Sequence, residues 1–282
     1  MDRDDSATVS FGSPLRATGR ILLYFGFTLC LMPVQAVALL LGLPLARRLP
    51  LWYHRRCCPI LGLKVECRGQ QSQVRPTLFA CNHVSYLDIT VLGSLIEGSF
   101  VAKAEVARWP LFGWLARLQR TVFVDRRSLK TADQRDIMKG RLEAGDDLIL
   151  FPEGTSGDGN RVLPFKSALF SVAESRPGGK PLLVQPVSIA YARLDDSPMG
   201  RYLRPFFAWY GDMDLVSHIW EAMGLGWVTV VVEFHPAVTI EGLGSRKALS
   251  DYCYGRVAAG MAAALTGRPQ TAPEPAVALA TA

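Results

Sequence analysis

A histidine and an aspartate five residues apart, His83 and Asp88, follow a short apolar run in the stretch FACNHVSYLDI. On one unbroken helix these side chains would be rotated by about 140° and would not share a face. They can act together only if the chain turns between them. The pattern predicts a strand over 77–82 and a helix from near Ser85, which places His83 in the turn and Asp88 in the first turns of the helix.

In that geometry the aspartate can reach back to the histidine. A carboxylate bound to one ring nitrogen fixes the tautomer and leaves the other nitrogen free to act as a base. This is the His–Asp half of a nucleophilic triad, but no G-x-S-x-G motif supplies a serine. A hydroxyl group of the substrate is therefore the expected nucleophile. The alternative is structural, with His83 capping a turn and Asp88 capping a helix, and the H-x4-D spacing alone does not exclude it.

Two other stretches carry groups that can bind an anion. In LFPEGTSGDGNRVLPFK (150–166), an apolar strand runs into Pro-Glu-Gly-Thr and a glycine-rich loop whose backbone amides can cradle an anion, unless the loop is a plain turn. The stretch 103–126 places Lys103 and Arg126 at opposite ends of two adjacent predicted strands, around an apolar, aromatic helix. Both side chains can bind phosphate oxygens, although each is equally consistent with solvated surface charge.

The composition favours a lipid partner. The chain has 282 residues, of which 49% are hydrophobic, and a formal net charge of +6. A basic chain binds either nucleic acid or anionic lipid. No RNA- or DNA-binding motif occurs and several charges flank an apolar segment, so no nucleic-acid partner is expected. The six cysteines form no C-x-x-C pair and no histidine stands at metal-ligand spacing from them, so we expect neither a metal site nor a disulfide framework.

An uncharged apolar segment at 21–46 predicts a membrane anchor. As one helix it would be about 39 Å long, which exceeds the ~30 Å hydrocarbon core of a bilayer. Pro33 and Pro44 leave two forms open: a kinked spanning helix, or a hairpin of two short helices that dips into one leaflet. More arginines follow the segment than precede it, which predicts that the domain beyond it is cytoplasmic, on the inner membrane if the protein is bacterial.

The rest of the chain alternates short apolar runs with helical stretches, which is typical of an α/β domain with a mixed central sheet flanked by helices. Strands are predicted at 77–82, 99–103, 121–126, 147–151, 182–191 and 227–234, and helices near 86–96, 110–119, 128–144, 164–175 and 246–265. The chain therefore divides into a polar N-terminal segment (1–20), a membrane anchor with its basic flank (21–56), a catalytic domain (57–266) and a disordered Pro/Ala-rich tail (267–282).

Taken in order, these stretches resemble the lysophospholipid acyltransferase family, which includes 1-acylglycerol-3-phosphate acyltransferases. Four family motifs are matched: N-H-x4-D by Asn82, His83 and Asp88; F-x-x-R by Phe123 to Arg126; F-P-E-G-T by Phe151 to Thr155; and a proline-containing apolar strand by 182–191 with Pro186. The resemblance covers roughly residues 60 to 235.

The resemblance implies acyl transfer from a thioester, on CoA or acyl carrier protein, to a free hydroxyl of a membrane lyso-lipid, without a cofactor or a metal. His83 would be the base and Asp88 its orienting partner. The residues implied at the acceptor are Asn82, Lys103, Arg126, Glu153, Gly154 and Thr155, with Lys103 and Arg126 at an anionic head group. The carboxylate of Glu153 cannot favour phosphate, so it is expected to hold a cation or a glycerol hydroxyl.

The expected acceptor is 1-acylglycerol-3-phosphate, which would give phosphatidic acid. The alternative is a lyso-ornithine lipid, because Ser156 stands where many family members carry an arginine that is thought to help hold the phosphate. Two rivals come from other classes. A membrane-tethered lipid hydrolase would use the same His–Asp pair to activate water, and a non-catalytic lipid-binding protein would keep the fold without the base.

Overall fold

The computed structural model, which describes residues 12–124 and 132–268, is built on a mixed sheet whose central strands are buried on both faces. The strands are β1 (Leu63–Gly69), β2 (Thr77–Cys81), β3 (Gly98–Lys103), β4 (Val122–Val124), β5 (Asp147–Leu150), β6 (Leu183–Leu194), β7 (Ser197–Pro198), β8 (Val228–Phe234) and β9 (Val238–Thr239). Their order is β1-β8-β6-β2-β5-β3-β4, and β7 and β9 pair with β6. All residues of β2 and β5 are buried, as expected for strands covered by helices on both sides.

Helices cover the sheet, so the predicted α/β architecture is confirmed. The α-helices are α1 (Pro14–Leu40), α2 (Leu45–Ile60), α3 (Leu87–Gly93), α4 (Phe112–Leu118), α5 (Ala132–Glu143), α6 (Leu215–Gly224), α7 (Ile240–Leu243) and α8 (Arg246–Thr266). The stretch predicted as a helix at 164–175 is a 3-10 helix, Ser167–Glu174, whose serine and valine residues have weak α-helix propensity. Strand β1 escaped prediction because its LKVECRG sequence is polar and mostly solvent-facing.

The apolar N-terminal segment lies mainly in one long helix, α1, which packs against the more polar α2 as a hairpin and so differs from the two short helices expected within 21–46. α1 continues through Pro33 for 27 residues, and a turn at 41–44 leads into α2. The helices contact each other where the rings of Phe27 and Tyr53 stack at 5.7 Å and where Thr28 Oγ1 and Tyr53 OH share a hydrogen bond of 2.7 Å. Among the described helices, α1 is the one that is long and apolar enough to cross a membrane, judged by length and composition.

Helix α1 is fixed to the catalytic domain at two distant points. The guanidinium of Arg20 donates to three backbone carbonyls within 223–226, and the amide of Gln35 donates to the carbonyl of Leu118. These two side chains are separated by about 22 Å along the helix axis. The helix therefore lies along the domain over this length and leaves a row of leucines exposed on its other side, namely Leu22, Leu23 and Leu29.

Parallel pairing brings the functional stretches to one edge of the sheet. β2 pairs in parallel with β5, and β3 pairs in parallel with β5 and β4. The carboxyl ends of these strands therefore face the same way, which is where open α/β sheets bind ligands. Lys103 pairs with Val124, the last residue of β4. The expectation that these two strands would present opposite ends is wrong because they are parallel; Arg126 itself lies outside the described residues.

Candidate active site

His83 and Asp88 form a hydrogen-bonded pair at the carboxyl edge of the sheet, as their spacing predicted. β2 ends at Cys81 and α3 begins at Leu87, so Asp88 lies in the first turn of that helix. Asp88 Oδ2 accepts from His83 Nδ1 at 2.8 Å. In the neutral ring Nδ1 therefore carries the proton and Nε2 keeps its lone pair. The His83 side chain is 24% exposed whereas Asp88 is fully buried, so a substrate can reach the ring but not the carboxylate.

Three further donors hold the Asp88 carboxylate in place. Oδ2 also accepts from the backbone amides of Val84 at 2.7 Å and Ser85 at 2.9 Å, so Asp88 closes the turn after β2 as well as orienting the histidine. Oδ1 accepts from the hydroxyl of Tyr191 on β6 at 2.8 Å. Burial and the negative charge of Asp88 raise the pKa of Tyr191 well above its ordinary value, so this hydroxyl remains a donor. The capping role and the catalytic role proposed as alternatives are thus compatible.

Aromatic stacking fixes the plane of the catalytic ring. His83 packs face to face on Phe151, with ring centroids 4.1 Å apart and an interplanar angle of 18°. Phe151 stacks in turn on Phe100 of β3, at 6.2 Å. The three rings come from three adjacent strands, which is why β5 and β3 are needed to position a histidine that follows β2. With one face covered and Nδ1 bonded, the edge that bears Nε2 remains for the substrate.

Glu153 lies beneath the histidine turn. The residue is 2% exposed, and its Oε1 accepts from the backbone amide of His83 at 3.2 Å. Within the described residues its Oε2 has no hydrogen-bond partner. Burial raises the pKa of Glu153 to about 8, against the lowering effect of hydrogen bonds from the amides of His83 and Leu163. Near pH 7 the side chain is therefore mostly neutral, and the expected binding of a cation or a glycerol hydroxyl by Glu153 stays a prediction.

Asn82 bridges two strands at the point where β2 ends. Its Nδ2 donates to the carbonyl of Ile189 at 2.9 Å, and its Oδ1 accepts from the amide of the same residue at 2.8 Å. The side chain therefore continues the β2–β6 ladder while the backbone turns away toward His83. Asn82 is 1% exposed. Both polar atoms of the Asn82 amide are thus used within the protein, and contact with a substrate stays a prediction.

The remaining residues of the predicted acceptor site are spread along the same edge. Gly154 has a φ of +72°, which favours glycine, and its amide donates to the carbonyl of Phe151. Thr155 is exposed, and Lys103 is half-buried at the end of β3. Arg126 falls outside the described residues. Contact between any of these residues and a substrate stays a prediction.

An apolar cavity of about 260 Å³ lies between the N-terminal hairpin and the catalytic domain. Its lining includes Tyr24 of α1 on one side and several residues of the stretch 109–118 on another. Phe100 also lines the cavity. Because Phe100 stacks on Phe151 and Phe151 stacks on His83, the cavity begins one aromatic layer from the catalytic ring.

Tyr191 was not predicted as a site residue, although a signal was available. It ends the predicted, largely apolar strand 182–191, and a buried tyrosine hydroxyl usually needs a hydrogen-bond partner. The partner is the Asp88 carboxylate, which no pattern in the sequence joins to residue 191. His218 lies away from this pair. It is buried on α6, and its Nδ1 shares a 3.1 Å hydrogen bond with Tyr86 OH.

Comparison with known proteins identifies the relatives of this chain. Residues 64–190 match the family described as Acyltransferase. The chain is 43% identical over 245 residues to a lyso-ornithine lipid O-acyltransferase of Brucella abortus, covering 86% of this chain and 92% of the relative. It is 42% identical over 250 residues to the corresponding protein of Rhizobium meliloti, covering 87% and 85%. A 1-acyl-sn-glycerol-3-phosphate acyltransferase of Neisseria gonorrhoeae is 33% identical over 178 residues, covering 62% and 64%.

A solved structure shares the fold. The crystal structure of the 1-acyl-sn-glycerophosphate acyltransferase from Thermotoga maritima superposes with a TM-score of 0.63 at 21% identity, covering 88% of this chain and 95% of that one. The family match and the curated relatives together identify an acyltransferase. With the curated relatives considered as well, the chain belongs to the lysophospholipid acyltransferase family.

Proposed function

We propose that His83 acts as the general base in transfer of a fatty acyl group from a thioester to the free hydroxyl of a lyso-lipid. The observation that carries this proposal is the 2.8 Å bond between His83 Nδ1 and the buried Asp88 carboxylate. That bond leaves Nε2 as the proton acceptor on a ring that is accessible from solvent. General-base assistance of this kind contributes about 10²–10⁴ in rate.

The step needs no acyl-enzyme, because the acceptor itself supplies the nucleophilic oxygen. As that oxygen bonds to the thioester carbonyl carbon, its proton moves to Nε2 of His83, and Asp88 stabilises the resulting imidazolium. Collapse of the tetrahedral intermediate breaks the C–S bond. The imidazolium then returns its proton to the leaving sulfur, which gives an ester and a free thiol. The thiol belongs to CoA or to acyl carrier protein.

A lyso-ornithine lipid is the acceptor that the observations favour. Ser156 replaces the arginine that many family members place after E-G-T, and its Oγ donates to the backbone carbonyl of Trp209. This position therefore provides no cation for a phosphate. The two relatives at 43% and 42% identity, matched over 92% and 85% of their lengths, are both named lyso-ornithine lipid O-acyltransferases.

A second candidate acceptor is 1-acylglycerol-3-phosphate, the first expectation from the sequence. The half-buried Lys103 at the carboxyl edge supports it, because a lysine there can face an anionic head group. A relative at 33% identity is named for this reaction, although the match covers a smaller share of both chains. The absence of an arginine at position 156 counts against it.

The apolar cavity is suited to the acyl chain of the thioester. Lining residues on α1 extend from Ile21 to Gln35, which is about 21 Å along the helix and close to the length of a long fatty acyl chain. Burial of each methylene in such a cavity contributes about 0.8 kcal/mol. The aromatic layer of Phe100 and Phe151 would then guide the carbonyl carbon toward His83.

We also propose that the hairpin lies in the plane of one leaflet, on the cytoplasmic face, instead of crossing the bilayer. Arg20 and Gln35 tie α1 to the domain at points about 22 Å apart, which a helix leaving the domain to span the membrane would not allow. Leu22 and Leu29 are 68% and 57% exposed. A helix with an uncovered apolar face and flanking arginines binds at the lipid interface.

One assay matrix with purified protein tests the proposed function. It crosses lyso-ornithine lipid and lysophosphatidate as acceptors with acyl-CoA and acyl carrier protein thioesters as donors, and it includes His83→Ala. We expect ester formation on lyso-ornithine lipid and its loss in His83→Ala by about 10²-fold or more. Binding of that variant to lipid vesicles should remain normal, because the side chain of His83 is bonded to Asp88 and stacked on Phe151, which lie outside α1 and α2.

Each alternative gives a different result in the same matrix. Activity on lysophosphatidate alone would replace the first acceptor with the second. Fatty acid release without an acceptor would indicate the hydrolase, and near-normal transfer by His83→Ala would remove the histidine from the mechanism.

A further inference from the structure

A polar cluster beside the catalytic turn has no part in the chemistry described so far. It consists of Asp158 and Asn160 in the glycine-rich loop and Arg204 at the start of a short 3-10 helix, Arg204–Phe206. All three side chains are half-buried. They are joined by hydrogen bonds that run from Arg204 through Asn160 to Asp158.

Backbone contacts place this cluster next to His83. The amide of Gly157 donates to the carbonyl of His83 at 3.0 Å, and the amide of Trp209 donates to the carbonyl of Val84 at 3.0 Å. Gly159, with a φ of +76°, fills the space between these segments. A Cβ on this glycine would lie 3.2 Å from Val84 Cγ1 and 3.8 Å from Arg204 Cβ. A head group bound by the cluster would therefore lie next to the histidine turn.

Arg204 keeps most of its binding capacity unused. Within the described residues its guanidinium makes one hydrogen bond, from Nη1 to Asn160 Oδ1 at 3.1 Å, out of five N–H donors. Its buried Nε has no acceptor among those residues. Burial and the neighbouring Arg201 lower the pKa of Arg204, and Asp158 opposes this effect. A bound carboxylate would supply the missing acceptors and the missing negative charge.

Asp158 is oriented with two of its acceptor sites used. Its Oδ1 accepts from the Asn160 amide at 3.0 Å, and its Oδ2 accepts from Asn160 Nδ2 at 3.1 Å. A carboxylate has about four acceptor sites, so Asp158 can still receive bonds from an ammonium group. The cluster thus presents a cation and an anion that are joined through Asn160, as a zwitterionic ligand requires.

We propose that Arg204 and Asp158 form the acceptor head-group site, with Arg204 binding the α-carboxylate of ornithine and Asp158 binding its terminal ammonium. This inference rests on the proposed lyso-ornithine lipid acceptor. Ornithine that is acylated on its α-amino group keeps these two charged groups, one of each sign. A lysophosphate head group has no ammonium for Asp158, so the cluster also discriminates between the two candidate acceptors.

The test compares two acceptors on each enzyme preparation. One is lyso-ornithine lipid, and the other is its analogue with the α-carboxylate converted to a carboxamide. The ratio of kcat/KM for the two acceptors does not depend on the fraction of active enzyme. Wild-type protein should prefer the carboxylate by about 10- to 100-fold, because a charge-assisted bidentate pair is lost with the analogue. Arg204→Gln should bring the ratio to within about 3-fold of one, mainly through KM for the carboxylate acceptor.

Arg201→Gln is the matched control. It removes the same charge from an exposed neighbour that makes no hydrogen bond among the described residues, so it should keep the wild-type ratio. Arg204→Lys keeps the positive charge but not the planar guanidinium, so it should give an intermediate ratio. This variant provides the test if Arg204→Gln is too unstable to assay. Asp158 is tested with an acceptor that is acetylated on its terminal amine. Wild-type protein should prefer the unmodified lyso-ornithine lipid to this acceptor, and Asp158→Asn should lose that preference.

The outcomes separate this inference from the proposed function. Suppose that the wild-type protein acylates lyso-ornithine lipid. If Arg204→Gln then keeps the wild-type ratio, or if Arg201→Gln loses the preference for the carboxylate equally, the head-group site is overturned and the proposed function stays intact. A wild-type protein that does not acylate lyso-ornithine lipid overturns both.

Discussion

Replacement of Glu153 by glutamine tests how the catalytic turn is held. The glutamine keeps an oxygen that can accept from the His83 amide, as Oε1 does at 3.2 Å, but it cannot ionise. We therefore expect Glu153→Gln to retain activity within about 3-fold, whereas Glu153→Ala should lose about 10²-fold because displacement of a catalytic group by about 1 Å has that effect. A Glu153 that binds substrate through its charge would make both variants equally poor.

The same substitution has a calculable effect on stability. Burial raises the pKa of Glu153 from an ordinary value of 4.5 to about 8, so the folded protein holds this proton more tightly than the unfolded chain. The resulting stabilisation is fully present below pH 4.5 and is lost as the pH rises to about 8. At about 1.36 kcal/mol per pH unit, the loss over this window is ~5 kcal/mol. Glu153→Gln has no proton to lose and should lack this decline.

Thermal unfolding in detergent micelles between pH 5 and pH 9 measures the difference. At 2–4 °C per kcal/mol for a domain of this size, the Tm of Glu153→Gln should gain about 10–15 °C relative to wild type across the window. The comparison uses the difference between the two proteins, because other groups titrate equally in both. Parallel Tm curves would refute the neutral, buried state of Glu153 and with it the positioning role.

Four further substitutions probe the site. Asp88→Asn should lower kcat by about 10²–10⁴, since an amide does not stabilise the imidazolium. Tyr191→Phe should lower kcat about 10-fold with unchanged KM, because Asp88 loses one charge-assisted hydrogen bond at 2.8 Å. Asn82→Ala should lower the free energy of unfolding by ~2–4 kcal/mol, because the amide and carbonyl of Ile189 lose their partner. Ala116→Phe, in the cavity wall, should shift donor preference toward shorter acyl chains in steady-state assays.

Specific results would contradict these expectations. If Asp88→Asn is fully active, the mechanism does not need a base oriented by Asp88. If Tyr191→Phe changes KM alone, the tyrosine contacts the substrate. Normal thermal stability of Asn82→Ala would show that the strand bridge is dispensable. An unchanged chain-length profile in Ala116→Phe would put the acyl chain elsewhere.

The sequence determined the class of fold and the pairing of His83 with Asp88. Alternating apolar runs and helical stretches specify buried strands covered by helices, because apolar periodicity reports which faces must leave water. The five-residue spacing of His83 and Asp88 works because a strand end, a tight turn and the first turn of a helix bring residues this close in the chain together. Interactions over so short a stretch can be inferred without knowledge of the rest of the molecule.

The tertiary structure decided everything that depends on distant segments. Tyr191 reaches Asp88 across 103 residues, and Arg204 reaches Asn160 across 44, because β6 and the segment after it return to the edge where β2 ends. Glu153 lies beneath the histidine for the same reason: β5 pairs beside β2, so the residues that follow the two strands are stacked together. Strand order and parallel direction set these contacts, and local sequence carries no record of which strand will be the neighbour.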